Sequence, residues 1–332
     1  MMGSCLKRFD GTQHTQRTVF FALRWFETNQ NNDGSWGDKD KLSKTALTLL
    51  AFLKNRASPD SEQFGQSIKD ACKYLFYNGT NTTSIYEYAT VSYAMSVLYS
   101  RTKIPYAKDI AEYNLQKIID SKLSLKDTDI ELLYWITNAI HASEKAETST
   151  VQIEPLKDRI ADYILLKQDD TTNTIESISA EVLSLQNLQK TDTCIYSNKI
   201  NYINTYVQSN NIENLKNISS QSLYFTTQAI FNQYANSADN TCWKKWNSLI
   251  QKFTQEQHIN KNPSNRFKDN GYWPIDITTN NESTVYTTIM FTYIYETFFT
   301  YIQYLPVYPD NTNHRYKDTD CYKDEITIDI EL

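Results

Sequence analysis

The sequence predicts an all-α protein, an (α/α)6 barrel (toroid) of six helical hairpins. Three observations predict it. Seven glycines and seven prolines in 332 residues are too few for the turns that sandwiches and loop-rich folds need. Apolar residues recur at helical spacing along most of the chain. Apolar-rich helical segments alternate with amphipathic ones, their starts about 40–65 residues apart, close to the unit of helical-pair repeats.

In order, the apolar-rich segments are Ser43–Lys54, Tyr86–Tyr99, Asp129–Ala142, Ile175–Leu188, Ser219–Gln233 and Thr284–Tyr301. Each follows an amphipathic partner: Thr15–Thr28, Gln63–Phe76, Ala107–Asp120, Leu156–Leu166, Tyr196–Gln208 and Trp243–Glu256. Within the partners, Ile68, Cys72 and Leu75 keep a helical stripe, as do Ile110, Tyr113, Leu115 and Ile118. Closing the array leaves no repeat with an exposed apolar face, and a linear solenoid of helical pairs is the structural competitor. Residues 1–14 read as an N-terminal extension, 15–305 as a single barrel domain and 306–332 as a tail or strap. Pro306 and Pro309 end the last helix, and a short alternating run, I-T-I-D-I-E-L, closes the sequence.

Composition narrows the function classes. Net charge is −6 with acids and bases interspersed, so no basic groove exists and nucleic acid is not an expected partner. No apolar run approaches the ~20 residues of a transmembrane segment, and Met1–Gln16 lacks a hydrophobic signal core. The five cysteines (Cys5, Cys72, Cys194, Cys242, Cys321) have irregular spacing and no C-x-x-C. They read as reduced thiols of a cytoplasmic protein. The 24 tyrosines and 14 phenylalanines either pack helices together or line a cavity.

The most informative segment joins the first two helices, A-L-R-W-F-E-T-N-Q-N-N-D-G-S-W-G-D (Ala22–Asp38). Gly34 can take positive φ, the Gln30 amide can bond exposed backbone at a helix end, and Trp36 offers a broad packing surface. This helix, Gln, Gly-x-Trp, helix pattern resembles the QW motif of squalene cyclases, the signature of the terpene cyclase and protein prenyltransferase superfamily. Ala22, Trp25, Gln30, Gly34 and Trp36 occupy matching positions. Tyr86–Tyr99 is similar to inner helices of bacterial squalene-cyclase-like proteins. Gly271-Tyr272-Trp273 resembles a degenerate second turn, with Gln257 too far upstream, across an insertion carrying Pro263 and Arg266.

The resemblance implies the barrel, and it implies class II cyclase chemistry, in which an acid at the head of an inner helix protonates an isoprenoid. In L-K-D-T-D-I-E-L-L-Y-W (Leu125–Trp135), Asp127 matches the first Asp of D-x-D-D and Asp129 the middle, proton-donating one, with Ile130 in place of the last. Glu131 follows one residue on, about 100° further round the helix. A carboxyl pair can split its pKa values to hold such a proton. The same acids would equally serve as helix cap and dipole partners. Tyr88, Tyr134, Trp135, Tyr224 and Tyr286 are the expected aromatic lining for a cationic intermediate, and packing is the alternative use of such a stripe.

Two metal motifs of related enzymes are incomplete. Asp192-Thr193-Cys194 with His258 resembles the zinc ligands of protein prenyltransferases, but no Gly-x-Trp turn follows and Val285-Tyr286-Thr287 stands where the histidine belongs. Asp169-Asp170-Thr171-Thr172-Asn173 resembles the D-D-x-x-D of class I synthases and reads as a solvated loop. No metal ligand or cofactor is therefore expected, apart from Mg²⁺ should the substrate be a diphosphate. The expected partner is a small apolar isoprenoid or a protein. Class II cyclases close their cavity with two barrels, so a homodimer or second subunit would complete this one. The reading from another class is a non-catalytic barrel serving as a protein- or lipid-binding module.

Overall fold

The computed structural model describes residues 11–148, 152–167, 174–234, 239–254, 257–265, 268–274 and 283–297. Among them the chain is α-helical apart from one short hairpin. The expected helix pairs form: α1 (Gln13–Thr28) with α2 (Lys41–Lys54), α3 (Gly65–Asn78) with α4 (Ile85–Thr102), and α5 (Pro105–Asp120) with α6 (Ile130–Ala146). Then come α7 (Glu154–Leu166) with α8 (Ile175–Asn187) and α9 (Cys194–Ser209), followed by the single turn α10 (Ile212–Leu215) and by α11 (Ser220–Tyr234). Last are α12 (Thr241–Phe253), the strands β1 (His258–Asn260) and β2 (Asn270–Tyr272), and α13 (Thr284–Glu296).

Local chemistry sets the boundaries. Thr12 and Thr15 form a capping box, so α1 begins before the expected Thr15. Thr174 and Ser177 do the same for α8, and Pro105 at the first position of α5 lacks only an N–H that a helix start leaves unbonded anyway. The expected tail, 306–332, lies outside the described residues.

The helices fall into two classes by burial. In α2 every residue from Leu42 to Lys54 is buried, and α4, α6, α8, α11 and α13 each bury a long unbroken run, as Tyr88–Leu98 of α4 and Thr287–Glu296 of α13. A helix apolar on all sides needs neighbours on all sides. By contrast α12 buries one stripe, Cys242, Trp243, Trp246, Asn247, Ile250 and Phe253. The buried helices pack in succession, α2 on α4, α4 on α6, α6 on α8, α8 on α11 and α11 on α13, and α13 packs back on α2. The striped helices cover them from outside: α3 lies on α2, α5 on α4, α7 and α9 on α8, and α12 on α11.

Two turns carry the same fasteners. Gly34 has φ +88°, and a Cβ there would stand 2.3 Å from the Asp70 carbonyl oxygen, so only glycine fits. The Gln30 amide donates to the carbonyls of Gly34 and Ser67, both at 2.9 Å, tying the turn to α3. The Trp36 indole donates to the Phe26 carbonyl at 2.8 Å and its backbone N–H to the Thr45 hydroxyl at 3.2 Å. In the second turn the Trp273 indole donates to the Thr254 carbonyl at 3.1 Å and its backbone N–H to the Thr288 hydroxyl at 3.2 Å.

The expectation that Gln257 lies too far from this second turn is corrected. The antiparallel pairing His258↔Tyr272 loops the insertion out and returns the chain to Gln257. A Cβ on Gly271 would meet the Gln257 amide carbon at 2.8 Å. The Gln257 amide donates to the Thr18 carbonyl of α1 at 3.1 Å, as Gln30 does to α3. Trp25 stacks on Tyr272 at 5.3 Å, so the hairpin also packs on the first helix.

Candidate functional site

Hydrogen bonds and ring contacts bring the amino-terminal ends of α4, α6, α8, α11 and α13 together. Glu176, in the first turn of α8, accepts from the Ser219 hydroxyl at 3.1 Å and from the Gln221 amide at 3.0 Å, both at the head of α11. Tyr286, in the first turn of α13, donates to Gln221 Oε1. Tyr86 of α4 meets Trp135 of α6 edge to face, centroids 6.2 Å apart. The caps that orient these turns are small hydroxyl residues: Ser84 accepts from the Glu87 N–H and Ser283 from the Tyr286 N–H.

The acids expected to carry catalysis stand outside this cluster. Asp127 lies in a single 3-10 turn, Leu125–Asp127, exposed, its carboxylate accepting from the Ser124 hydroxyl at 2.6 Å. Asp129 is the exposed N-cap of α6 and its side chain makes no capping bond. The less exposed carboxyl here is Glu131, one residue past the Ile130 that replaces the last Asp of the motif. It is partly buried, and burial raises its pKa; the negative charges of Glu176 and Asp129 raise it further, against the opposing charge of Lys167. A signal for it was present: Glu131 precedes Tyr134 and Trp135 by three and four residues and so shares their helix face.

Below this mouth the aromatic residues meet one another. Tyr134 and Tyr224 share a hydroxyl–hydroxyl hydrogen bond of 2.9 Å, and Tyr134 also packs edge-on against Phe225 at 4.5 Å. Their helices, α6 and α11, are two steps apart in the packing succession, so these rings bridge across α8. Tyr224 packs against Tyr293 at 5.2 Å, and the Tyr293 hydroxyl donates to the Leu47 carbonyl at 2.6 Å. Burial pushes Tyr134 up to about 12 and holds Tyr93, Tyr224 and Tyr293 well above the usual phenol range. Of the five expected lining residues, Tyr134, Trp135 and Tyr224 are thus brought together and Tyr286 joins at the rim. Tyr88 is not; its hydroxyl donates to the Thr82 carbonyl in the loop before α4.

The metal motifs do not assemble among the described residues. Cys194 is exposed at the start of α9 next to exposed Asp192, and His258 is exposed on β1 against the Tyr272 ring at 4.9 Å. No group of three His, Cys, Asp or Glu side chains is placed to hold a metal among the described residues. Asp169, Asp170 and Asn173 lie outside them. Two surface clefts flank the helices. One, of about 320 Å³, lies between α5 and α7 beside Gln116, Ile119, Leu156 and Arg159. The other, of about 390 Å³, lies between the Gly34 turn and α3 beside Asp33, Asp70, Lys73 and Tyr77.

No helix among the described residues is long and apolar enough to cross a membrane. Comparison of the chain with protein-family models, with curated proteins and with solved structures finds no match.

Proposed function

We propose that the chain is a six-hairpin α/α toroid of the terpene cyclase and prenyltransferase type whose axis is a packed core, and that it acts as a binding module. The succession of helix contacts that returns from α13 to α2 supports the closed form over a linear solenoid. So do the paired Trp36 and Trp273 turns, which fasten the first and last hairpins alike. The observation that carries the binding reading is the Tyr134–Tyr224 hydrogen bond, which spans the space an isoprenoid would need. Asp127 and Asp129 are exposed, and a solvated carboxyl is a poor proton donor to a carbon base.

The binding surface is the mouth formed by these helix heads, which Glu131 and Glu176 share with the partly exposed rings of Tyr86 and Tyr286. Carboxylates beside ring faces suit a cationic side chain, so the partner is a basic segment of a protein. A lysine-rich peptide titrated against the protein should bind saturably, more weakly in salt and more weakly again to Glu131→Gln or Glu176→Gln. Equal affinity of the variants sinks the site.

The cyclase reading keeps one observation in its favour, the partly buried Glu131 carboxyl, whose pKa burial and the charges of Glu176 and Asp129 raise. Under that reading incubation with squalene or geranylgeranyl diphosphate gives a cyclic product, lost in Asp129→Asn or Glu131→Gln. Under the binding reading the wild-type protein returns both compounds unchanged.

A further inference from the structure

Lys54 is the last residue of α2 and is buried, yet its ammonium makes its best contacts with rings. Lys54 Nζ lies 3.5 Å from the centroid of Tyr293 on α13 and 5.4 Å from that of Tyr224 on α11. Three residues after Tyr293, one turn along α13, stands Glu296, 5 % exposed. Both its carboxylate oxygens are buried and accept no hydrogen bond from the described residues. Lys54 and Arg101 at the carboxyl ends of α2 and α4 are its opposing charges, and Tyr93 of α4 feels its field. A buried carboxylate with no donor is costly unless a cation stands close by.

We propose that Tyr224, Tyr293 and Glu296 form a chamber for a primary alkylammonium ion, and that Lys54 is its tethered occupant. The ring faces attract a cation, the Lys54 stem supplies an apolar tail, and Glu296 supplies the balancing charge. Each feature selects an organic ammonium over a bare metal ion, whose tight hydration shell the rings cannot replace. The chamber is distinct from the mouth: it joins the carboxyl-terminal end of α2 and the last turns of α13, with Tyr224 reaching in from the second turn of α11.

Shortening the tether exposes the site to a free guest. Lys54→Ala should lose thermal stability and regain roughly 3–5 °C in Tm with propylammonium chloride in large excess over its dissociation constant. Sodium chloride and 1-propanol at the same concentration should give none of this gain. Glu296→Gln in the Lys54→Ala background should abolish it. If Lys54→Ala is unfolded in buffer, propylammonium should restore its helical circular dichroism where sodium chloride does not. Equal responses to propylammonium, propanol and sodium chloride overturn the proposal in either case. The wild-type protein gives an independent reading by NMR: the Lys54 Hε protons, over the Tyr293 face, should resonate upfield of every other lysine. An ordinary shift there also overturns it.

Discussion

Trp36 and Trp273 are held by the same pair of hydrogen bonds, indole N–H to a carbonyl at the end of the preceding helix and backbone N–H to a threonine on the next. Both side chains are fully buried. Trp36→Phe or Trp273→Phe removes the indole donor from the Phe26 or Thr254 carbonyl, of which Phe26 still accepts from the Asn29 N–H, and should cost about 1–3 kcal/mol each. Urea denaturation of the two variants checks it. If Trp273→Phe unfolds with the wild-type midpoint, the two turns are not equivalent.

The two turns were unequally legible. The first announced itself because Gln30, Gly34 and Trp36 lie within one short segment. The second was half hidden because a β-hairpin, a long-range pairing, separates Gln257 from Gly271. The helix pairs were readable throughout, since burial follows the period of the apolar residues. The site was less readable: facing depends on where a helix starts, and α6 starts one residue after Asp129. That single cap residue leaves Asp129 in solvent and turns Glu131 inward. Tyrosine count could not separate a lining from a core, because Tyr134 and Tyr224 satisfy each other only across helices far apart in sequence.

That mutual bond gives a second prediction. Tyr134→Phe and Tyr224→Phe should each cost about 1 kcal/mol, since either leaves one buried hydroxyl without its partner. The double variant should cost less than the sum, with a coupling of roughly 0.5–1.5 kcal/mol. Chemical denaturation of the four proteins measures it. Strict additivity would mean that the hydroxyls find other partners and that the axis is not closed by this bond.

The buried charges predict an unusual alkaline profile. Burial, opposed by the Glu296 charge, pushes Lys54 down to about 8 from 10.5. From about pH 8 to 10 the unfolded chain therefore binds the proton that the folded protein has lost, and stability rises with pH. Full titration of this one group is worth about 3 kcal/mol. Above about pH 10 the trend reverses, because Tyr93, Tyr134, Tyr224 and Tyr293 keep protons that unfolded phenols release. Lys54→Met should remove the rise and keep the fall. Urea midpoints at half-unit pH steps would show it, and an unchanged rise in Lys54→Met would assign it elsewhere.

Glu296 works in the opposite sense at lower pH. Burial, countered by Lys54 and Arg101, holds its carboxyl well above the usual range. An unfolded glutamic acid gives up this proton near pH 4.5 while the folded protein holds it to higher pH, so its stabilising contribution declines as pH rises from that point until Glu296 itself ionises beside Lys54. Glu296→Gln should flatten the decline and be relatively most favourable at neutral pH. A variant whose pH dependence parallels the wild type between pH 4.5 and 7 would show that Glu296 is ionised without penalty.

The rim carboxyls separate by the same logic. Asp129 is exposed and its side chain makes no capping bond, so Asp129→Asn should change stability by less than about 0.5 kcal/mol. Asp127→Asn keeps an acceptor for the Ser124 hydroxyl and should be equally mild. Glu131 is different: its folded pKa is raised by burial and by Glu176 and Asp129, so ionisation costs it stability as pH climbs above its unfolded value. Its partial exposure keeps the effect under about 1 kcal/mol. Glu131→Gln should thus gain slightly on the wild type at pH 7 and not at pH 4, while losing affinity for a lysine-rich peptide. A gain in stability together with a loss in binding marks a residue kept for recognition. Loss of both would place Glu131 in the fold, and unchanged affinity would remove Glu131 from the proposed binding surface.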